Sequence, residues 1–97
     1  MTATELAEIL AQHKLWLENP EKGKRADFRG MDLCYANFGG ADLRYTNFEN
    51  ANFVSTNCRD ANFVGANFVG ANFVGADCRN TNFANTDLYY SSFDDQE

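Results

Sequence analysis

The sequence predicts an all-β solenoid, a chain that coils around its own core, preceded by a single α-helix. Three observations predict this fold. From Ala26 to Asp95 the chain divides into fourteen blocks of five residues without a slip in register. Every Phe, from Phe28 to Phe93, falls at the third position of a block. In the residues before the repeat, apolar side chains recur at helical spacing instead.

The N-terminal segment is predicted to form an amphipathic helix from about Thr4 to Glu18. Thr2 and Glu5 have the spacing of a capping box, and Asn19-Pro20 is typical of a helix end. The apolar stripe consists of Leu6, Ile9, Leu10, His13, Trp16 and Leu17. Because this stripe must be buried, we expect the helix to cover the first coil of the solenoid. His13 and Trp16 are interpreted as packing residues of that contact, not as a ligand or a base.

A strict period of five fits neither a straight helix nor a flat strand. Five steps of an α-helix rotate by about 140°, and five steps of a strand invert the face. The backbone must therefore turn once per block if all third-position side chains are to face one axis. Asn, Asp and Gly are frequent in the repeat and tolerate turn conformations. Successive coils would then stack at about 4.8 Å with strand-like hydrogen bonds.

The repeat resembles the pentapeptide-repeat proteins, whose consensus A(D/N)Lxx is matched by blocks such as Ala41-Asp42-Leu43 and Ala66-Asn67-Phe68. The resemblance covers residues 26–95. It implies a right-handed quadrilateral β-helix with four blocks per coil, about three and a half coils, and first and third positions facing inward. It also implies columns of inward side chains that lie twenty residues apart, one of which contains Cys58 and Cys78.

The domain organisation follows from these elements. We expect a capping helix and linker in residues 1–25, the β-helix in residues 26–95 and the end of an acidic tail in residues 96–97, all forming one structural domain. No stretch approaches the roughly 18 apolar residues of a membrane span, and the N-terminus does not resemble a signal peptide. Three Cys without a CxxC spacing argue against a disulfide framework or a zinc site. The predicted location is the cytosol.

The cysteines have alternative interpretations. Cys58 and Cys78 could form a redox pair, because stacked Cα atoms lie within disulfide reach. We favour the interpretation that both fill the core as small apolar side chains, since stacked side chains point in parallel. Cys34, at an outward fourth position, is interpreted as a surface thiol.

Partner binding would have to use the outward positions or the ends. Residues 61–76 contain no charge and present Val64, Val69 and Val74, with Val54 beneath Val74. This uncharged surface could bind a partner, although β-branched Val also simply suits a strand. Tyr35 and Tyr45 form a second candidate patch. At the C-terminal end, the candidate self-association surface consists of Leu88, Tyr89, Tyr90 and Phe93, followed by the acidic residues of the tail. These aromatic side chains either fold over the last coil or meet a second copy in an end-to-end dimer.

The composition and motifs bear on three functional classes. An enzyme is not expected, because the sequence has one His, no nucleophile with a base, and no phosphate-binding motif. We predict no catalytic residue, cofactor, metal or small-molecule substrate. Direct nucleic-acid binding is disfavoured, because all six net negative charges belong to residues 26–97. The prediction is a noncatalytic structural or protein-interaction module with an unknown protein partner. The alternative, which only the resemblance implies, is a DNA mimic that binds a type II topoisomerase such as DNA gyrase.

Overall fold

The computed structural model describes residues 1–94. Helix α1 spans Ala3–Glu18, one residue longer at its start than predicted. The capping box is confirmed: the Glu5 N–H donates to Thr2 Oγ1 at 3.1 Å, and the Thr2 N–H donates to Glu5 Oε1 at 2.9 Å. At the other end, the Asn19 N–H donates to the Leu15 carbonyl at 2.8 Å. Local chemistry therefore fixes both ends of the helix.

The repeat pairs with itself through isolated parallel bridges, not through continuous strands. Every bridge joins second-position residues that lie twenty residues apart, which is one coil of four blocks. The bridges are Asp27↔Asn47, Asp32↔Asn52, Asn37↔Asn57, Asp42↔Asn62, Asn47↔Asn67, Asn52↔Asn72, Asn57↔Asp77, Asn62↔Asn82, Asn67↔Asp87 and Asn72↔Ser92. Each face of the coil therefore contributes one short extended segment before the chain turns.

One block from the middle of the solenoid shows why the coil closes after twenty residues. In Ala66–Gly70 all five N–H groups are hydrogen-bonded. The first donates back across the turn to the Phe63 carbonyl at 2.9 Å, and the second donates to the preceding coil at Thr46, 3.0 Å. The third and fifth donate to the following coil, and the fourth, Val69 N–H, donates to Asn67 Oδ1 at 2.9 Å. The second-position Asn or Asp thus closes the turn of its own block.

The turn is completed by the fifth position. Every fifth-position residue from Gly30 to Tyr90 has a positive φ, between 57° and 75°. Gly adopts this left-handed conformation freely, and Asn and Asp adopt it with little cost. Tyr35, Tyr45 and Tyr90 also adopt it, with φ of 62°, 64° and 62°. The coil geometry therefore overrides the local preference of these tyrosines.

The core consists of stacked third-position side chains. Phe28, Phe48 and Phe68 form one column with ring centroids 5.2 and 5.0 Å apart and nearly parallel planes. Rings from neighbouring faces meet edge to face, as Phe48 and Phe63 do at 5.4 Å. First-position Ala residues such as Ala51 are buried beside the rings, because only a small side chain fits there. The predicted columns are therefore present.

Helix α1 lies across the first coil. Leu6, Ile9 and Leu10 pack against the core cluster, and the Lys24 N–H donates to the Gln12 carbonyl at 3.1 Å. Gly23 makes this approach possible, because a Cβ at this position would overlap the backbone of Gln12 and Trp16. The capping role predicted for the helix agrees with these contacts.

The core predicts a steep dependence of stability on its central ring. Phe48 is fully buried and contacts five other Phe rings. We expect Phe48→Ala to lower the free energy of unfolding by about 3–5 kcal/mol, because it removes a large side chain from a site that cannot collapse. Val74→Ala, at a site that is 43% exposed, is the control and should cost less than half as much. Urea unfolding measures both, and equal losses would contradict the stacked core.

A second prediction concerns the helix contact. Gly23→Ala should lower the free energy of unfolding by about 2 kcal/mol or more, because the new methyl group displaces α1. Gly40→Ala is the control: φ is 69° there but no atom lies within 4 Å of the added Cβ, so the cost should be about 1 kcal/mol. Fluorescence of Trp16 during urea unfolding reports both. A larger loss of unfolding free energy in Gly40→Ala than in Gly23→Ala would contradict the close contact between Gly23 and α1.

Candidate interaction surfaces

Arginines on the sides of the solenoid are paired with aspartates by the geometry of the block. Arg29, Arg44 and Arg79 occupy fourth positions and pair with the second-position Asp of the same block at 2.8, 2.8 and 2.6 Å. Arg59, whose block has Asn instead, lies 4.0 Å from Asp77 of the next coil. The hydrogen bond from Arg79 lowers the pKa of Asp77 to about 2. Because these pairs are solvent-exposed, they contribute little stability, but they leave no cluster of positive charge in the repeat.

The predicted uncharged surface is only partly exposed. Val54, Val64 and Val69 are half-buried, whereas Val74 is 43% exposed. The solenoid itself therefore shields part of this surface from solvent. Nothing in this arrangement favours a partner over a simple structural role.

The two early tyrosines differ from one another. The Tyr45 ring lies over Gly65 of the next coil, so closely that a Cβ on Gly65 would be 2.6 Å from the ring. Tyr35 is 81% exposed. Tyr45 is still 51% exposed, but it lies two blocks from Tyr35 in a coil of four blocks, so the two rings belong to different faces and do not form one patch.

The cysteines remain thiols. Cys58 is buried, and the pKa of its thiol is raised by a hydrogen bond with the Cys78 thiol and by burial. Cys34 is partly exposed, and the pKa of its thiol is raised by a hydrogen bond with Asp32. The hydrogen bond between Cys58 and Cys78 lowers the pKa of the partly buried Cys78 thiol, so of the three cysteines only Cys78 shifts in the direction that a reactive thiol needs. The interpretation of Cys58 as a core residue agrees with its burial.

Residues 1–94 contain no group of three or more His, Cys, Asp or Glu side chains that could hold a metal ion.

A groove of about 480 Å³ runs between the first half of α1 and the first coil, lined by Leu6, Leu10, Leu33 and Tyr35 among others. Its lining is mainly apolar, and its polar members are Thr2, Asp32, Cys34 and Asn37. In the described part of the chain, no helix has the length and apolar character needed to cross a membrane.

The C-terminal end of the solenoid exposes the candidate self-association surface. Tyr89 and Tyr90 are 64% and 76% exposed, and their ring centroids are 4.2 Å apart. A hydrogen bond between their hydroxyl groups raises the pKa of Tyr89. Phe93 stacks on Phe73 at 4.7 Å but is 44% exposed, because none of residues 1–94 covers its other face. Leu88 is partly buried against the core. The aromatic side chains therefore do not fold over the last coil; the tail beyond Asp94 lies outside the described residues.

The backbone at this end is equally open. In the interior of the solenoid, third- and fifth-position N–H groups donate to the following coil. At the C-terminal end, the corresponding N–H groups have no hydrogen-bond acceptor among residues 1–94; they belong to Phe83, Asn85, Leu88 and Tyr90. The carbonyls of Thr81 and Thr86 likewise accept no backbone hydrogen bond from the described residues. A solenoid end of this kind is a template for another chain.

At the opposite end, His13 replaces part of the missing coil. The Ala26 N–H donates to His13 Nδ1 at 3.0 Å, and His13 Nε2 lies 2.8 Å from the Arg44 carbonyl and 3.2 Å from Thr46 Oγ1. Since a carbonyl can only accept, Nε2 carries the proton. His13 is fully buried and stacks on Trp16, with ring centroids 5.5 Å apart. The sequence placed His13 in the packed stripe but gave no sign of this hydrogen-bonding role.

Comparison with known proteins agrees with this geometry. The model of the family "Pentapeptide repeats" matches eight copies in residues 24–60 and 61–95. A trypsin-treated form of QnrB1, a plasmid-mediated fluoroquinolone resistance protein, is 22% identical with a TM-score of 0.53, over 75% of this chain and 48% of that one.

Two further structures are similar. A pentapeptide repeat protein from the Arabidopsis thaliana thylakoid lumen is 26% identical over 73% of this chain and 52% of that one, with a TM-score of 0.46. Rfr23 from the cyanobacterium Cyanothece 51142 is 30% identical over 71% and 54%, with a TM-score of 0.36. The chain spans about half the length of these proteins. A search of curated proteins found no match. With the repeat matched over most of its length, the chain belongs to the pentapeptide-repeat family.

Proposed function

We propose that this protein is a noncatalytic protein-binding module that binds its partner at the open C-terminal end of the solenoid. The observation that carries the proposal is a row of N–H groups that have no acceptor among residues 1–94 and lie beside exposed aromatic rings; they belong to Phe83, Asn85, Leu88 and Tyr90. Backbone edges of this type bind extended segments, and Tyr is enriched at protein interfaces.

As a family member, the chain is expected to coil in the right-handed sense. The cytosol remains the expected location, because the three free thiols fit a reducing compartment.

A second copy of the chain is the first candidate partner. Helix α1 covers the opposite end, so copies cannot add head to tail through two open ends. Two C-terminal ends can meet in an isologous contact, which closes after two copies. The acidic residues at this end, including Asp87 and Asp94, would repel one another across such a contact. We therefore expect the dimer to become more stable as salt screens this repulsion.

Light scattering tests the dimer directly. The wild-type chain should have the mass of a dimer, and Tyr90→Asp with Phe93→Asp should have the mass of a monomer, because the charges cannot be buried without partners. Tyr35→Asp is the matched control, since it changes an equally exposed fifth-position Tyr at the other end. It should leave the dimer unchanged. Monodisperse monomers for the wild type and the double variant alike would contradict self-association.

The charge distribution supports the DNA-mimic alternative less than it supports the protein-binding module. Three and a half coils span about 17 Å, over which B-DNA carries about ten phosphate charges. Residues 61–76 carry no charge, and the four arginines of the repeat neutralise neighbouring aspartates. The likeness to QnrB1 concerns the fold, at 22% identity.

We expect that micromolar concentrations of this protein leave gyrase supercoiling unchanged. A DNA supercoiling assay with added protein measures this, with the Tyr90→Asp, Phe93→Asp variant as a control for the open end. Inhibition by the wild-type chain would favour the DNA mimic over the binding module.

A further inference from the structure

We propose that protonation of His13 releases helix α1 from the first coil, so that mild acid opens the second end of the solenoid. This inference goes beyond the proposed function, which concerns the opposite end. It rests on the two ring nitrogens of one buried side chain and on what each replaces in the hydrogen-bond pattern of the repeat.

Nε2 replaces a backbone donor. On this face of the coil, the fourth-position carbonyl of Val64 accepts from the Tyr45 N–H at 3.0 Å, and that of Ala84 accepts from the Gly65 N–H at 3.0 Å. The corresponding carbonyl in the first coil belongs to Arg44, and no coil precedes it. His13 Nε2–H donates to it at 2.8 Å instead.

Nδ1 replaces a backbone acceptor. Elsewhere in the repeat, a first-position N–H donates to the third-position carbonyl of the preceding block, as the Met31 N–H does to Phe28 at 3.1 Å. Ala26 begins the first block, and its N–H donates to His13 Nδ1 at 3.0 Å. One imidazole thus supplies one donor and one acceptor that the missing backbone would have provided.

This double role requires the neutral ring. A protonated imidazole has a hydrogen on both nitrogens and no acceptor. Nδ1–H would then face the Ala26 N–H across 3.0 Å, donor against donor, inside a site with no solvent exposure. The Arg44 contact survives protonation, but the Ala26 contact cannot. The charged ring is therefore compatible with the undocked helix and not with the docked one.

Some charged groups around the ring raise the pKa of His13 and others lower it. Asp42 in the first coil favours the protonated ring, whereas Arg44 in the same block and Arg25 in the connecting segment oppose it. The Arg25 guanidinium lies 5.5 Å above the Trp16 ring, which in turn stacks on His13. Burial is the largest influence and lowers the pKa of His13 below its ordinary value of 6.5.

The sign of the pH dependence follows. Because the native pKa is lowered, the docked helix is fully stable above about pH 6.5 and loses stability as the pH falls from there through the native pKa. The equilibrium constant for docking should fall by up to tenfold for each pH unit within that window. Release would uncover core side chains of the first coil such as Leu33, which is buried beside Leu6 and Leu10 of α1, giving a second open end.

Amide hydrogen exchange of the full chain, followed by NMR between about pH 7.5 and pH 5, tests the proposal. The protection factor of the Ala26 amide should fall by up to tenfold per pH unit below about 6.5, and the emission of Trp16 should shift with it. The amide of Phe68, which donates within the solenoid at 2.8 Å, should keep its protection factor. Constant protection of Ala26 would overturn the proposal, as would equal losses at Ala26 and Phe68, which indicate unfolding of the whole chain.

Two variants separate titration of His13 from other effects. Arg25→Gln removes an exposed positive charge near the ring and should move the midpoint to higher pH. His13→Gln keeps an amide donor and acceptor but cannot titrate, so its Ala26 amide should show no pH dependence in this range. If the helix does not dock in His13→Gln, the difference in midpoint between the wild-type chain and Arg25→Gln still tests the assignment to His13. An unchanged midpoint in Arg25→Gln, or the same pH dependence in a docked His13→Gln, would contradict the assignment to His13.

Discussion

The structure depends on one constraint: each block can satisfy its backbone N–H groups only when a coil lies on either side of it. The block Ala66–Gly70 illustrates this, since one N–H bonds to the coil before, two bond to the coil after, and the remaining two are satisfied locally. The Phe columns strengthen this stack but do not define its period. A solenoid built in this way is stable in its middle and incomplete at its ends.

The two ends meet this constraint differently. The N-terminal end is covered by a helix whose His13 supplies a donor and an acceptor for Arg44 and Ala26. The C-terminal end has no such cover among the described residues, and Tyr89, Tyr90 and Phe93 are exposed there. Between the ends, paired charges and half-buried Val side chains offer little for recognition. The proposed partner site at the C-terminal end rests on this contrast, and so does the proposed sensitivity of the N-terminal cover to protonation.

Much of the fold could be predicted from the sequence because the repeat identifies the environment of each position. The capping box of Thr2 follows from spacing and residue type, whereas the columns of Phe48 and Phe68 and the inward Ala residues were predicted through the resemblance to the pentapeptide-repeat family. Other features could not be predicted. Tyr35 and Tyr90 adopt a left-handed conformation that their side chains disfavour, because the turn of the coil imposes it. The need for Gly23 arises from the approach of two segments, which no local pattern encodes.

The candidate sites could likewise be predicted from the sequence only in part. Tyr90 and Phe93 could be named from the sequence because they are large aromatic residues of the last two blocks, and both are exposed in the structure. His13 was placed in the buried stripe, but its hydrogen bonds span 13 and 31 residues and depend on how the helix lies on the coil. The first coil has no coil before it, so its need for one added donor and one added acceptor could have been predicted. The side chain that supplies them could not.

Scalar couplings across N–H···O=C hydrogen bonds, measured by NMR, test the coil most directly, because each coupling identifies donor and acceptor residues together. The structure predicts couplings from third-position amides to second-position carbonyls nineteen residues later, such as Phe48 N to the Asn67 carbonyl and Phe53 N to the Asn72 carbonyl, both 2.7 Å apart. Couplings from these amides to residues four positions earlier, as in an α-helix, or to any other partner, would contradict the twenty-residue coil.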